Sequence, residues 1–159
     1  MTLKGLSDED FVNYRKPSMF LITPSCTFKC DKENGCQLCQ NMPLASAPLI
    51  KCENEDLIRR YSGNGITKAV VFGGLEPFDS FPELCEFIEL FRIGHHIEDD
   101  IVIYTGYTEE EASSWIDQLR RYKNIIVKYG RFRPGCSPHY DETLGVNLAS
   151  DNQYARRIA

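Results

Sequence analysis

The sequence predicts an α/β protein built on a parallel sheet covered by helices. Three observations predict it. Four short runs are apolar along their whole length, as strands buried on both faces are. The stretches between them carry apolar residues at helical spacing. Each run also stops at a glycine or proline, so the runs have defined ends.

The elements follow in order. Ser18–Thr23 is a short apolar run ending at Pro24 and reads as a strand. A cysteine-rich loop follows. Leu57, Ile58 and Tyr61 predict a short helix behind Asn54. Ala69–Phe72 is a β-branched strand stopping at Gly73-Gly74. Ser80 and Glu83 have capping-box spacing, and Phe81, Leu84, Cys85, Ile88 and Phe91 recur on one face of the helix that follows. Ile101–Tyr104 is a third strand, ended by Thr105-Gly106. Thr108 and Glu111 make a second capping box before a stripe of Ala112, Trp115, Ile116, Leu119 and Tyr122. Ile125–Lys128 is a fourth strand, before Tyr129-Gly130. From about Arg131 onward the reading is a structured loop region with one more short strand near Val146. Ligand sites in such folds lie beyond the carboxyl ends of the strands. The cysteine loop and the three glycine turns are therefore expected at one edge.

The chain has 159 residues, which predicts one domain over 1–159. A chain of this size buries about 70% of its unfolded surface and needs no staples. Its longest apolar runs are too short for a membrane span. Met1–Asp10 carries acids and no apolar stretch, so no signal peptide is expected. The net charge of −5 offers no basic footprint for nucleic acid. A cytoplasmic protein with no membrane or nucleic-acid partner is the expectation.

Cysteine departs from this ordinary composition. There are 7, an odd number without export signals, which favours reduced thiols over a disulfide framework. Cys26, Cys30, Cys36 and Cys39 cluster in one loop, spaced Cys-x3-Cys-x5-Cys-x2-Cys. Four thiolates would close a tetrahedral zinc site, giving an interaction domain rather than an enzyme. Three would hold three irons of a [4Fe–4S] cluster and leave one iron open to a substrate or cofactor. Spacing does not choose between them. Elsewhere, Cys52 has no nearby partner, Cys85 belongs to a helix's apolar face, and Cys136 with His139 supplies too few ligands for a metal.

The loop Pro24-Ser-Cys-Thr-Phe-Lys-Cys30, with Cys39-Gln-Asn41, resembles the cluster loop of radical S-adenosylmethionine (radical SAM) enzymes. More narrowly it resembles the small activating proteins of anaerobic ribonucleotide reductase. Phe72-Gly-Gly-Leu-Glu-Pro77 is similar to that family's Gly-Gly-Glu-Pro segment, with Leu75 an extra residue. Ile103-Tyr-Thr-Gly-Tyr-Thr108 is similar to its Tyr-Thr-Gly-Tyr-Thr segment, and Ser150-Asp-Asn-Gln153 to its Ser-Ser-Asn-Gln. The matches run in register from about Met19 to Gln153. The family's usual loop is Cys-x3-Cys-x2-Cys, whereas eight residues, Asp31 to Leu38, separate Cys30 from Cys39 here. Alignment makes Cys26, Cys30 and Cys39 the ligands and Cys36 a passenger in loop 24–41. The competing set is Cys30, Cys36 and Cys39.

The resemblance implies an incomplete parallel β/α barrel, a [4Fe–4S] cluster and S-adenosylmethionine as cofactors. It implies reductive cleavage to a 5'-deoxyadenosyl radical and a glycyl radical made on a partner enzyme, most directly anaerobic ribonucleotide reductase. Flavodoxin or ferredoxin would be the electron donor. A radical SAM reaction on a small metabolite or peptide is the rival. The resemblance also assigns cofactor contacts. Gly73 and Gly74 let the backbone approach the methionine end, and Glu76 receives its ammonium. Thr105 and Gly106 contact ribose or methionine, Leu38 packs on adenine, and Asn152 with Gln153 closes the site. By themselves these residues read more plainly: strand-ending turns, an exposed loop acid, a loop anchor and a solvated polar tail.

Overall fold

The computed structural model describes residues 1–159. Ten strands and five α-helices follow one another, alternating from β4 to β7: β1 Thr2–Leu3, β2 Gly5–Asp10, β3 Ser18–Ile22, α1 Lys29–Asn34, α2 Met42–Ala45, β4 Ile50–Lys51, α3 Asn54–Gly63, β5 Ala69–Gly73, α4 Phe81–Glu89, β6 Asp100–Tyr104, α5 Ser113–Leu119, β7 Ile125–Tyr129, β8 His139–Asp141, β9 Val146–Leu148 and β10 Tyr154–Arg157. A 3₁₀ turn over Pro77–Ser80 leads into α4, and a π-helical turn over Leu90–Gly94 ends it. No helix is long and apolar enough to cross a membrane.

Six strands form the central sheet in the order β10-β7-β6-β5-β3-β2. The inner four are parallel, with Ile22 opposite Gly73, Phe72 opposite Ile103 and Tyr104 opposite Lys128. The four predicted strands are these four, each within a residue of its expected limits. Both edges are antiparallel additions, β2 on β3 and β10 on β7. Neither edge was foreseen, because Gly-Leu-Ser-Asp-Glu-Asp and Tyr-Ala-Arg-Arg carry no apolar alternation. Edge strands need only one neighbour, and charge protects them from pairing further. The short strand expected near Val146 is present as β9, but it pairs with β8 in a separate hairpin.

The two faces of the sheet are covered differently. Met19, Leu21, Val70, Phe72, Ile101, Ile103, Ile125 and Val127 join residues of α3, α4 and α5 in a core of 25 buried residues. Phe72 meets Phe87 of α4 edge-on with centroids 5.3 Å apart. The other face packs Ala69, Val71, Val102 and Ile126 against Tyr14, Leu144 and Leu148. Those three come from the loop after β2 and from the β8–β9 hairpin, so the long helices cover one face only. α1 and α2 bury no residue.

The two capping boxes fare differently. Thr108 and Glu111 exchange bonds as expected, at 2.9 and 3.2 Å, on the turn that opens into α5. Ser80 precedes α4 without capping it. Its hydroxyl lies 3.2 Å from that of Ser25, and Glu83 instead accepts the Thr2 N–H and hydroxyl at 2.7 and 3.0 Å. The 3₁₀ turn feeding directly into α4 gives Ser80 a φ of −126° and ψ of 35° rather than extended cap geometry.

Candidate metal centre and cofactor pocket

The parallel register delivers the exits of β3, β5, β6 and β7 to one edge, where a cavity of about 190 Å³ opens. Its walls hold Cys26, Cys30 and Cys39 from the cysteine loop, Gly74 and Glu76 from the β5 exit, Thr105 and Gly106 from the β6 exit, and Lys128 from β7. Cys36 is exposed and is not part of the lining.

Local chemistry builds the loop. The Glu76 N–H donates to Ser25 O at 3.0 Å, and the Thr27 N–H donates to Asp79 Oδ2 at 2.7 Å. The strand of cysteines is thus tied to the β5 exit on both sides of Cys26. Phe28 takes a left-handed conformation, with φ at 50°, and its N–H donates to Cys26 Sγ at 3.3 Å. α1 then carries Cys30 and ends at Gly35, whose φ of 67° a side chain would resist. Asp31 closes the insertion: its Oδ1 accepts the N–H groups of both Leu38 and Cys39, each at 2.9 Å.

Burial pushes the Cys26 thiol up to about 11. Burial, then the neighbouring Cys39, raises Cys30 as well. Burial disfavours both thiolates, and a bound metal would offset that cost by drawing off their charge. No three His, Cys, Asp or Glu side chains converge on a single-ion position. Three cysteines spread around one cavity instead fit a cubane, whose irons sit at separate corners. With Cys36 outside, the four clustered thiols do not close on one ion.

Glu76 organises the opposite wall. It is 6% exposed. Its Oε1 accepts the Thr105 hydroxyl at 2.7 Å and the Phe78 N–H at 3.1 Å, and its Oε2 accepts the Gly106 N–H at 2.8 Å. Burial nevertheless pushes its carboxyl up to about 7. The side chain that, taken alone, reads as an exposed loop acid is instead a buried internal brace lining the cavity.

A profile described as a 4Fe–4S single cluster domain matches residues 16–153 of the chain. The chain belongs to the 4Fe–4S single cluster domain family. Domains of this kind occur in radical SAM-type proteins. Among curated proteins and among solved structures, no match is found.

The remaining expected residues of this 4Fe–4S domain fall in several places. Gly74 lines the cavity with φ at 78°, and a Cβ there would stand 2.9 Å from Ile22 Cγ2. Gly73 does not line it; a Cβ there would press on Tyr104 Cβ at 3.1 Å and Phe20 Cε2 at 3.3 Å. Leu38 lines an adjoining cavity of about 320 Å³. Asn152 lies outside both. Its Nδ2 donates to Arg131 O at 2.8 Å while its Oδ1 is buried without a partner. Gln153 is the member of that pair lining both cavities, 6% exposed and donating to Gly130 O at 3.2 Å. The Ser150–Gln153 segment is therefore a buried turn at its two ends rather than a solvated tail.

Sequence reasoning missed Lys128, Tyr107, Asp79 and Arg131. Lys128 is 7% exposed, lines both cavities and donates to Gly130 O at 2.8 Å. Burial pulls its ammonium down to about 8. A lysine closing the run Ile-Ile-Val-Lys was its signal, since Lys is rarely buried without cause. Asp79 accepts the Tyr107 hydroxyl at 2.7 Å. Lys29 lies over the Tyr107 ring at 4.5 Å, and Arg131 grips Glu111 through two bonds of 2.8 Å.

Proposed function

We propose that this 4Fe–4S domain is a radical SAM enzyme that generates a glycyl radical on a partner enzyme, with anaerobic ribonucleotide reductase as the first candidate. In this reading Cys26, Cys30 and Cys39 hold a [4Fe–4S] cluster whose open iron receives S-adenosylmethionine, and the sheet is an incomplete barrel. One observation carries it. Three of the four clustered cysteines, and not the fourth, share a cavity with charged groups at the ends of four parallel strands.

When bound, the cluster and S-adenosylmethionine supply one-electron cleavage of the sulfonium C–S bond, giving methionine and the 5'-deoxyadenosyl radical that takes a hydrogen atom from a glycine Cα. The chain's residues bind and orient. Lys128 offers a buried ammonium to the methionine carboxylate, where the low dielectric strengthens the pairing. Glu76 keeps one free lone-pair direction on Oε2 for the methionine ammonium, and it holds the Thr105-Gly106 turn in place. Gly74 and Gly106 leave the backbone bare beside the cofactor. The electron comes from a flavodoxin or ferredoxin.

Anaerobic reconstitution with iron and sulfide, followed by S-adenosylmethionine and dithionite, tests this. Chromatography is expected to show 5'-deoxyadenosine in amounts that depend on dithionite. A fully loaded cluster that yields none would overturn the enzymatic reading, and a preparation binding zinc in place of iron would return the chain to the interaction-domain class.

A further inference from the structure

The three cavity-lining cysteines are held in two different ways. Cys26 is fixed to the body of the protein, because the Thr27 N–H donates to Asp79 and the Glu76 N–H donates to Ser25 O. Cys30 and Cys39 belong to a segment of their own. Cys30 lies in α1, and Asp31 of the same helix accepts the N–H groups of Leu38 and Cys39 at 2.9 Å. α1 buries no residue, so no apolar face fixes it to the sheet. We propose that Lys29 and Glu33 are positioning residues that seat this segment, and with it Cys30 and Cys39, against a fixed post made by Arg131 and Glu111. The seating rests on the reading of Cys26, Cys30 and Cys39 as the cluster's ligands and is independent of the radical reaction.

Three features point to it. First, the post is held in place. The Arg131 side chain is 8% exposed and donates to both oxygens of Glu111 at 2.8 Å, while its carbonyl accepts Asn152 Nδ2 at 2.8 Å. A forked pair with a buried guanidinium keeps one geometry and is little screened by salt. Second, every ion pair and hydrogen bond from α1 to the body runs through two side chains. Lys29 Nζ lies 3.7 Å from Glu111 Oε1 and 4.5 Å from the centre of the Tyr107 ring, and Glu33 Oε1 lies 3.3 Å from Arg131 Nε. Lys29 and Glu33 are four residues apart, so one face of α1 meets the post. Third, the seat is only partly engaged. Arg131 Nε is buried without a hydrogen bond although the Glu33 carboxylate is beside it, and Lys29 Nζ stands beyond hydrogen-bond distance of Glu111. A buried donor left in this way gains from a small inward shift of α1.

Both ends of the segment are anchored. Before α1, Phe28 follows the fixed Cys26–Thr27 stretch and caps no helix N–H with its side chain. After it, Cys39 O accepts the Met42 N–H at 3.1 Å, and Lys4 Nζ pins the end of α2 by donating to Ala45 O and Ala47 O at 2.9 and 2.6 Å. Between these anchors the Asp31 clamp makes α1 and Cys39 shift together. The side chains of Lys29 and Glu33 are 44% and 57% exposed. Exposed pairs are individually weak and yield to salt, so ionic strength governs how two of the three ligands are presented while the third stays fixed.

The test reads the seat without any reaction. The full chain, metal-free, reduced and anaerobic, is treated with iodoacetamide, and labelling of each cysteine is followed by mass spectrometry. Exposed Cys36 serves as the internal reference. Raising sodium chloride from about 20 mM to about 500 mM is expected to speed labelling of Cys30 and Cys39 about fivefold relative to Cys36, with Cys26 unchanged. Lys29→Gln combined with Glu33→Gln is expected to label at the high-salt rate at either concentration, whereas Lys29→Arg keeps the salt response. After reconstitution, the double variant is expected to have an unaltered cluster absorbance but to release iron to a chelator about fivefold faster than the unsubstituted protein at low salt. A salt response shared equally by Cys26, no response in Cys30 and Cys39, or a double variant that labels like the unsubstituted chain would overturn the seating. The full salt response in a chain that takes up no iron would leave the seating standing and remove the cluster reading instead.

Discussion

Glu76 and Gly106 stand at the exits of adjacent parallel strands, and the carboxylate Oε2 of one accepts the backbone N–H of the other at 2.8 Å. With the Thr105 hydroxyl on Oε1 at 2.7 Å, a single buried side chain holds the turn that forms the far wall of the cysteine-lined cavity. Glu76→Gln can accept on one end only and turns an amide N–H₂ toward a donor on the other. Leaving a buried donor unsatisfied costs about 1–3 kcal/mol. The variant is expected to keep its iron while its affinity for S-adenosylmethionine falls at least about tenfold, measured by anaerobic equilibrium dialysis. Unchanged affinity would remove Glu76 from the pocket's support.

Cys36 is exposed while the other three clustered cysteines line the cavity. Cys36→Ser is therefore expected to reconstitute with about four irons per chain and an unaltered cluster absorbance. Cys26→Ser, Cys30→Ser and Cys39→Ser each lose most of the iron. Iron retained in Cys26→Ser and lost in Cys36→Ser would reassign the ligand set to Cys30, Cys36 and Cys39.

Asp31 reaches across the insertion to hold Leu38 and Cys39 by their N–H groups. Bringing Cys30 and Cys39 together across an eight-residue spacer costs loop entropy, and this clamp offsets it. Asp31→Ala is expected to lower iron uptake several-fold, whereas Asp31→Asn, whose amide oxygen accepts the same two bonds, restores it. Iron analysis and the cluster's electron paramagnetic resonance spectrum read the difference. Equal loss in both variants would show that charge, not geometry, is what the site uses.

Asp100 supplies a pH test at the opposite end of β6. Burial opposes its charge, but hydrogen bonds from Lys16, Arg157 and Tyr14 outweigh that and hold its carboxyl below the usual range. Between its folded value and the ordinary value of about 4, the unfolded chain binds more protons than the folded one, so stability rises with pH there. The stabilisation is present above about pH 4 and is lost as pH falls through the lower folded value. Urea unfolding is expected to show Asp100→Asn less stable by about 1–3 kcal/mol at pH 7, with a shallower loss in acid. Parallel acid slopes for the two proteins would refute the depressed carboxyl.

Much of this was legible in the chain. The four parallel strands announced themselves because burial on both faces forces apolar residues at every position, as in Ala69–Phe72 and Ile101–Tyr104. The stripe Ala112, Ile116, Leu119 and Tyr122 did the same for a helix buried on one side. β2 and β10 gave no such signal, since an edge strand is held by backbone bonds that any side chain permits. The Ser80–Glu83 pair shows the opposite error. Its spacing was right for a cap, but Thr2, 81 residues away from Glu83, took the carboxylate.

By itself the sequence determined the four parallel strands and the amphipathic helices between them, where those strands end, and that four cysteines lie together after the first of them. Those properties are local, written in periodicity and spacing. Only the tertiary structure decided which cysteines face the cavity, that Glu76 braces the next strand's exit, that Gln153 and Lys128 line the cavity, and that a loop and a hairpin cover the second face. These depend on register between strands as far apart in the chain as Met19 and Val70, which no local pattern encodes. Side chains such as Lys128 became functional candidates only once the packing had removed them from water and left them facing a shared space.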